Sequence, residues 1–165
     1  MILRNFLPIE KLTIIAENFR NSKILPSILM QNHATLKIWD NDLSPIITLN
    51  DLLLNNSKAI TVENFHQPQK QLNKFIKLWQ RGSNPYLEYL RIDYLNGEEH
   101  DKEIVMKGIK HETNLRTRVR HFKPAGSNSW IPVCGGMDVY RMDGVKATIQ
   151  FFNGEVVEMF IWFDN

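Results

Sequence analysis

At 165 residues the chain has the length of one domain, and 43% hydrophobic with 23% charged residues is the balance of a folded chain, not of a disordered one. A net charge of +2, from 20 basic and 18 acidic residues, does not by itself ask for a nucleic-acid partner. The single cysteine, Cys134, excludes an internal disulfide framework and any zinc site of the Cys-x-x-Cys type.

The N-terminal segment reads as helical and irregular. Leu12, Ile15, Ala16 and Phe19 fall at i, i+3, i+4 and i+7, which predicts a helix behind Pro8. Pro26 interrupts a second apolar run, Ile24 to Met30. Met1 to Phe6 does not read as a signal peptide, because Arg4, Asn5 and Pro8 break its apolar stretch. With one thiol, that predicts a cytoplasmic or nuclear protein. No apolar run approaches the ~18 residues of a membrane span, so no membrane partner is expected.

A weak repeat follows. Leu36-x-Ile38, Ile60-x-Val62 and Leu90-x-Ile92 share one spacing, each alternating with outward-type residues as a half-buried strand requires. Their offsets are 24 and 30 residues, at and just above the leucine-rich-repeat range. Two helices are predicted between them. Thr48-Leu49-Asn50-Asp51 has the form of a capping box ahead of Leu52 to Leu54. Leu72, Phe75, Ile76 and Trp79 make a full helical stripe, opened by Pro68 and closed by Gly82 and Pro85. Residues 33–95 thus read strand–helix–strand–helix–strand, a pattern that favours right-handed parallel crossovers.

A third helix is predicted over Glu99 to Lys110, with Ile104, Val105 and Ile109 inward. Beyond it, Asp138–Met142, Val145–Phe152 and Glu155–Phe163 read as strands. Asp143-Gly144 and Asn153-Gly154 join them as two-residue turns. The fold class is α/β: a leucine-rich-repeat-like layer followed by a C-terminal antiparallel β-meander.

Little in the chain points to catalysis or to a cofactor. His33, His66, His100, His111 and His121 show no metal-ligand spacing. Cys134 precedes Gly135-Gly136 with no basic partner near in sequence, so it reads as a small residue entering the meander. Ser127, Asn128 and Ser129 form no nucleophile elbow. Glu98, Glu99, Asp101 and Glu103 complement the dipole at a helix start. Asn55-Asn56-Ser57 is a glycosylation sequon of no use without secretion. Arg116, Arg118, Arg120, His121 and Lys123 are the one basic patch; as a strand they would set three arginines on one face. That row suits phosphate, and it suits equally an edge strand guarded by charge. Trp39 is out of phase with Leu36 and Ile38, which places it on the opposite face of its strand, either partly exposed as a partner anchor or, the favoured reading, covered by the N-terminal helix.

Three stretches together resemble one family. Phe75 to Leu90 holds a tryptophan, a Gly-Ser-Asn-Pro turn and a Leu-Glu-Tyr-Leu strand. Gly135-Gly136-Met137-Asp138-Val139-Tyr140-Arg141 and Asp143-Gly144-Val145-Lys146-Ala147-Thr148-Ile149 follow. Across roughly residues 33–163 the chain is similar to the F-box-associated domain, type 2, of nematode F-box proteins. The resemblance implies a non-enzymatic module that recognises a protein substrate for a cullin-based ubiquitin ligase. It supplies no catalytic, cofactor or metal residues. Members of that family usually carry an N-terminal F-box that docks on a Skp1-type adaptor. Here Leu7-Pro8 echoes its opening, yet fewer than 30 residues separate it from Leu36. The chain therefore divides into an N-terminal helical segment, 1–32, with an incomplete or absent F-box, and an F-box-associated domain, 33–165; no adaptor binding is expected. Outward positions of the parallel strands are the candidate protein-binding residues: Lys37, Trp39, Thr61, Glu63, Tyr89 and Arg91. The alternative reading is nucleic-acid binding by the Arg116–Lys123 patch.

Overall fold

The computed structural model describes residues 10–16, 23–40, 46–94 and 101–163. Four parallel strands come first: β1 (Lys11–Ile15), β2 (Thr35–Trp39), β3 (Ala59–Phe65) and β4 (Tyr89–Tyr94). Between them run α1 (Pro26–Leu29), α2 (Leu49–Leu54) and α3 (Gln69–Gln80). After α4 (Asp101–Met106), four antiparallel strands follow: β5 (Glu112–Phe122), β6 (Ile131–Tyr140), β7 (Lys146–Phe152) and β8 (Val156–Trp162). All eight join in one sheet of order β1-β2-β3-β4-β8-β7-β6-β5. The expected meander thus completes the parallel layer rather than forming a separate unit, because β8 pairs antiparallel with β4.

Register explains the core. Leu12, Leu36, Ile60 and Leu90 stand side by side, as do Ile14, Ile38, Val62 and Ile92. These even-numbered side chains pack against Leu29, Leu49, Leu52 and the α3 stripe of Leu72, Phe75, Ile76 and Trp79. The helices therefore cover one face of the parallel strands. The odd-numbered positions lie on the other face, which no helix covers among the described residues. The α2 start is a true capping box: Thr48 accepts from Asp51 N, and the Asp51 carboxylate accepts from Thr48 N at 2.8 Å. Aspartate suffices there because it closes the same reciprocal pair as glutamate.

The N-terminal helix is a correction. Leu12 and Ile15 lie in strand β1, and Phe19 falls outside the described residues. Leu12, Ile14 and Ala16 also alternate, and the run Thr13-Ile14-Ile15 is β-branched, which suits a pleated surface better than a helix. Pairing with β2 decides the matter by burying Ile14, a residue outside the helical stripe. The third helix is shorter than expected, and Glu98 and Glu99 lie outside the described residues. Its Val105 is buried, as is Ile109 just beyond it, whereas Ile104 is exposed.

Two further corrections concern the meander. Its first strand starts earlier, at Ile131, and Met142 belongs to a turn. The Asp143-Gly144 connection is a three-residue loop, Met142 to Gly144, bridged by Arg141 N to Val145 O at 2.8 Å. Only Gly144 in it has positive φ, so it cannot be a type I′ turn. The Asn153-Gly154 turn does have two positive φ angles, 50° and 71°, and Glu155 N donates to Phe152 O.

Strand β6 changes face midway. Val133 lies on the helix-free side with Ala59, Tyr89, Phe122 and Phe160, whereas Met137 and Val139, of the same parity, face the helices. The switch sits at Gly135 and Gly136, both at positive φ, and β5 loses register with β6 between Asn114 and Val119. The β5–β6 hairpin consequently folds over part of the helix-free face. Its turn reaches β2, where Thr35 Oγ1 donates to Ala125 O at 3.0 Å.

Candidate functional site

The helix-free face has a covered part and an open part. Under the hairpin, Tyr89, Phe122, Phe160 and Trp162 form an aromatic group with ring centroids 5.3–6.0 Å apart. Tyr89 is buried there, which corrects its place among the candidate contact residues. Its hydroxyl donates to Glu158, and burial together with that carboxylate pushes its pKa far up. Arg91 bridges the covered and open parts, with Nη1 at 3.1 Å from Glu158 Oε1 and Nε at 2.9 Å from Asp93 Oδ1. Burial works against its charge, and the Asp93 and Glu158 carboxylates outweigh that and hold the guanidinium protonated.

The open part lies toward the C-terminal ends of β1–β3. Lys37, Trp39, Thr61 and Glu63 stand on it, and they are adjacent through the register of β2 and β3. Lys37 Nζ pairs with Glu63 at 2.6 Å and lies 5.1 Å from the Trp39 ring centroid. Trp39 keeps 45% of its surface exposed. Ile15, its neighbour on β1, is 38% exposed. Sequence reasoning missed Ile15, because the helical stripe hid its strand; the alternation of Leu12, Ile14 and Ala16 was the signal that could have found it.

The basic patch divides. Strand β5 is the edge of the sheet, as the charge-guarded reading supposes. Arg120 turns inward: its Nη2 is 3.0 Å from Asp138 Oδ1, and its guanidinium lies 4.4 Å from the Trp162 ring centroid. Burial alone would raise the Asp138 pKa, but hydrogen bonds from Thr148 Oγ1, at 2.6 Å, and Arg120 bring it below the usual carboxylate range. Arg116, Arg118 and Lys123 remain exposed, so the three arginines do not act as one row.

Trp79, Asn84, Pro85, Arg141 and Asp143 form a separate junction. The Arg141 guanidinium, buried, lies 5.5 Å from the Trp79 ring centroid. It donates to Pro85 O at 3.3 Å and holds Asp143 through paired contacts of 2.9 and 2.8 Å. That pairing holds the exposed Asp143 carboxyl below its ordinary range. Asn84, at φ 50°, donates to Leu52 O and Asn55 O, both at 2.9 Å. The tryptophan, the Gly-Ser-Asn-Pro turn, the arginine and the Asp-Gly turn thus tie α2, α3 and the β6–β7 connection together. Their chemistry is that of a folding device: the contacts of Asn84 with Leu52 and Asn55, and of Arg141 with Pro85, each join one element to another.

A family model described as F-box associated matches residues 24–92, from just before α1 through most of β4. The Gly135–Arg141 and Asp143–Ile149 stretches lie beyond the matched residues. No curated protein and no solved structure matches the chain. The matched residues include Trp79, the Gly82-Ser83-Asn84-Pro85 turn and the Leu87-Glu88-Tyr89-Leu90 stretch.

Proposed function

We propose that the protein is a non-catalytic interaction module that recognises another protein, in the cytoplasm or nucleus, for a cullin-based ubiquitin ligase. The F-box associated match supports the general role. The observation that carries the choice of surface is the open, helix-free face at Trp39. A large aromatic side chain, half in solvent, sits there between an exposed isoleucine and the Lys37–Glu63 pair. Amphipathic aromatic residues ringed by polar groups are the usual anchors of protein interfaces. Within this reading β1–β4 form a leucine-rich-repeat-like layer, the aligned Leu12, Leu36, Ile60 and Leu90 recurring every 24, 24 and 30 residues. Such layers present their bare strand face to partners.

The test is cross-linking through the Lys37 amine in cell extract, with mass spectrometry, on the wild type and on Trp39→Ala. The wild type should cross-link a partner and ligase subunits through it, and Trp39→Ala should lose the partner without losing its fold. Equal cross-linking by both proteins would move recognition off this face. Calorimetry with a purified Skp1-type adaptor should show no binding by this chain alone.

A further inference from the structure

Strand β5 is a sheet edge that nothing covers among the described residues, and it loses register with β6 between Asn114 and Val119, where Arg116 and Arg118 lie. It spans Glu112–Phe122, and among the described residues no strand lies on its outer side. Unpaired edges normally invite pairing with any other strand, and charge is the usual safeguard. Here the charge is of one sign in the middle of the strand. Arg116 and Arg118 are exposed, and neither has an ion pair among the described residues; Arg118 donates only to Asn114 Oδ1, at 2.8 Å. Lys123 follows the strand, 5.9 Å from the ring centroid of Trp130, which is 61% exposed. Leu115 and Val119 alternate with the arginines and are 77% and 49% exposed.

We propose that β5 is a docking edge for an extended acidic segment of a partner protein, which adds to the sheet as a ninth strand. The occupant follows from charge complementarity. A second copy of β5 would bring arginines against arginines, which disfavours self-pairing. A nucleic acid would find only Arg116, Arg118 and Lys123 available, since Arg120 is held by Asp138 and Trp162. About three phosphate contacts give weak binding at physiological salt. An acidic strand satisfies both the outer backbone groups of β5 and the two guanidiniums that have no carboxylate partner among the described residues. This edge is separate from the Trp39 face, and the proposal rests on the reading of the protein as a protein-recognition module.

The test uses the whole chain and a soluble peptide of about ten residues, glutamate alternating with threonine, a length that spans β5. Binding is followed by titration, and amide hydrogen exchange over β5 reports where it occurs. The peptide should bind and slow exchange in residues 112–122. N-methylation of alternate peptide nitrogens removes the pairing donors at unchanged charge, and should weaken binding at least about ten-fold. Arg116→Glu with Arg118→Glu should weaken it about ten-fold while leaving the melting temperature unchanged. Four outcomes overturn the proposal: no binding, equal binding of the N-methylated peptide, equal binding of a lysine–threonine peptide, or tighter binding of single-stranded DNA of similar length. Loss of a cross-linked partner in Trp39→Ala, together with any of these, would remove the β5 edge and leave protein recognition by the open face standing.

Discussion

Arg141 shows how one side chain can hold three elements. Its guanidinium meets the end of α3 at Trp79, the turn at Pro85 and the loop at Asp143. A lysine has one point charge and cannot reproduce the planar fork or the stacking. Arg141→Lys should therefore destabilise the chain by about 2 kcal/mol, measured by denaturant unfolding; an unchanged midpoint would mean the junction is ornamental. Trp79 is the larger loss. It is completely buried in the α3 stripe, and Trp79→Ala should cost about 3–5 kcal/mol through the volume it empties. Asp138 adds a pH dependence. Its folded pKa lies below the unfolded value of about 3.9, so its contribution is present above that value and is lost as pH falls through the folded one. The melting temperature should drop as pH falls from about 5 through the folded value, and Asp138→Asn should flatten that drop. A mutant with the wild-type acid slope would show that other carboxylates carry it.

Strand β6 depends on its two glycines. A Cβ at Gly136 would stand 2.7 Å from Thr148 Cγ2 and 2.9 Å from Ile149 O, at a φ of 99° that side chains rarely adopt. Gly136→Ala must push β6 off β7, and it should lower stability by about 2 kcal/mol or more and loosen the hairpin over Tyr89. Exchange at the Phe122 and Val133 amides measures that loosening directly. The same region marks where sequence stops being readable. Leu36, Ile60 and Leu90 announce their strands by local alternation, and Thr48 and the Leu72–Trp79 stripe announce their helices, because those signals lie within a few residues of one another. Lys37, Trp39, Thr61, Glu63 and Arg91 follow from the same alternation. Tyr89 follows it too, but its cover comes from Phe122 and Phe160, distant in the chain, after a change of face that only positive φ at Gly135 and Gly136 permits. Leu12 and Ile15 fit two periods at once, and pairing with β2 decides between them.

At the scale of the whole molecule, the stretch that carries the family match is less than half of a sheet. Residues 24–92 include β2, β3 and most of β4, and β4 is buried because β8 lies against it, with Leu90 beside Met159 and Ile92 beside Val157. Without β8, β4 would become an exposed edge rich in large apolar residues, the kind of edge that associates rather than folds. Trp79 would also lose Arg141, its cover from the other half. A fragment of residues 1–95 should therefore show no cooperative thermal transition by circular dichroism and should aggregate at micromolar concentration. Mixing it from denaturant with a fragment of residues 96–165 should restore a single transition, since the β4–β8 ladder and the Arg141 junction would both re-form. A sharp transition in the first fragment alone would make the parallel layer a self-sufficient unit, and the antiparallel strands an addition to it rather than its completion.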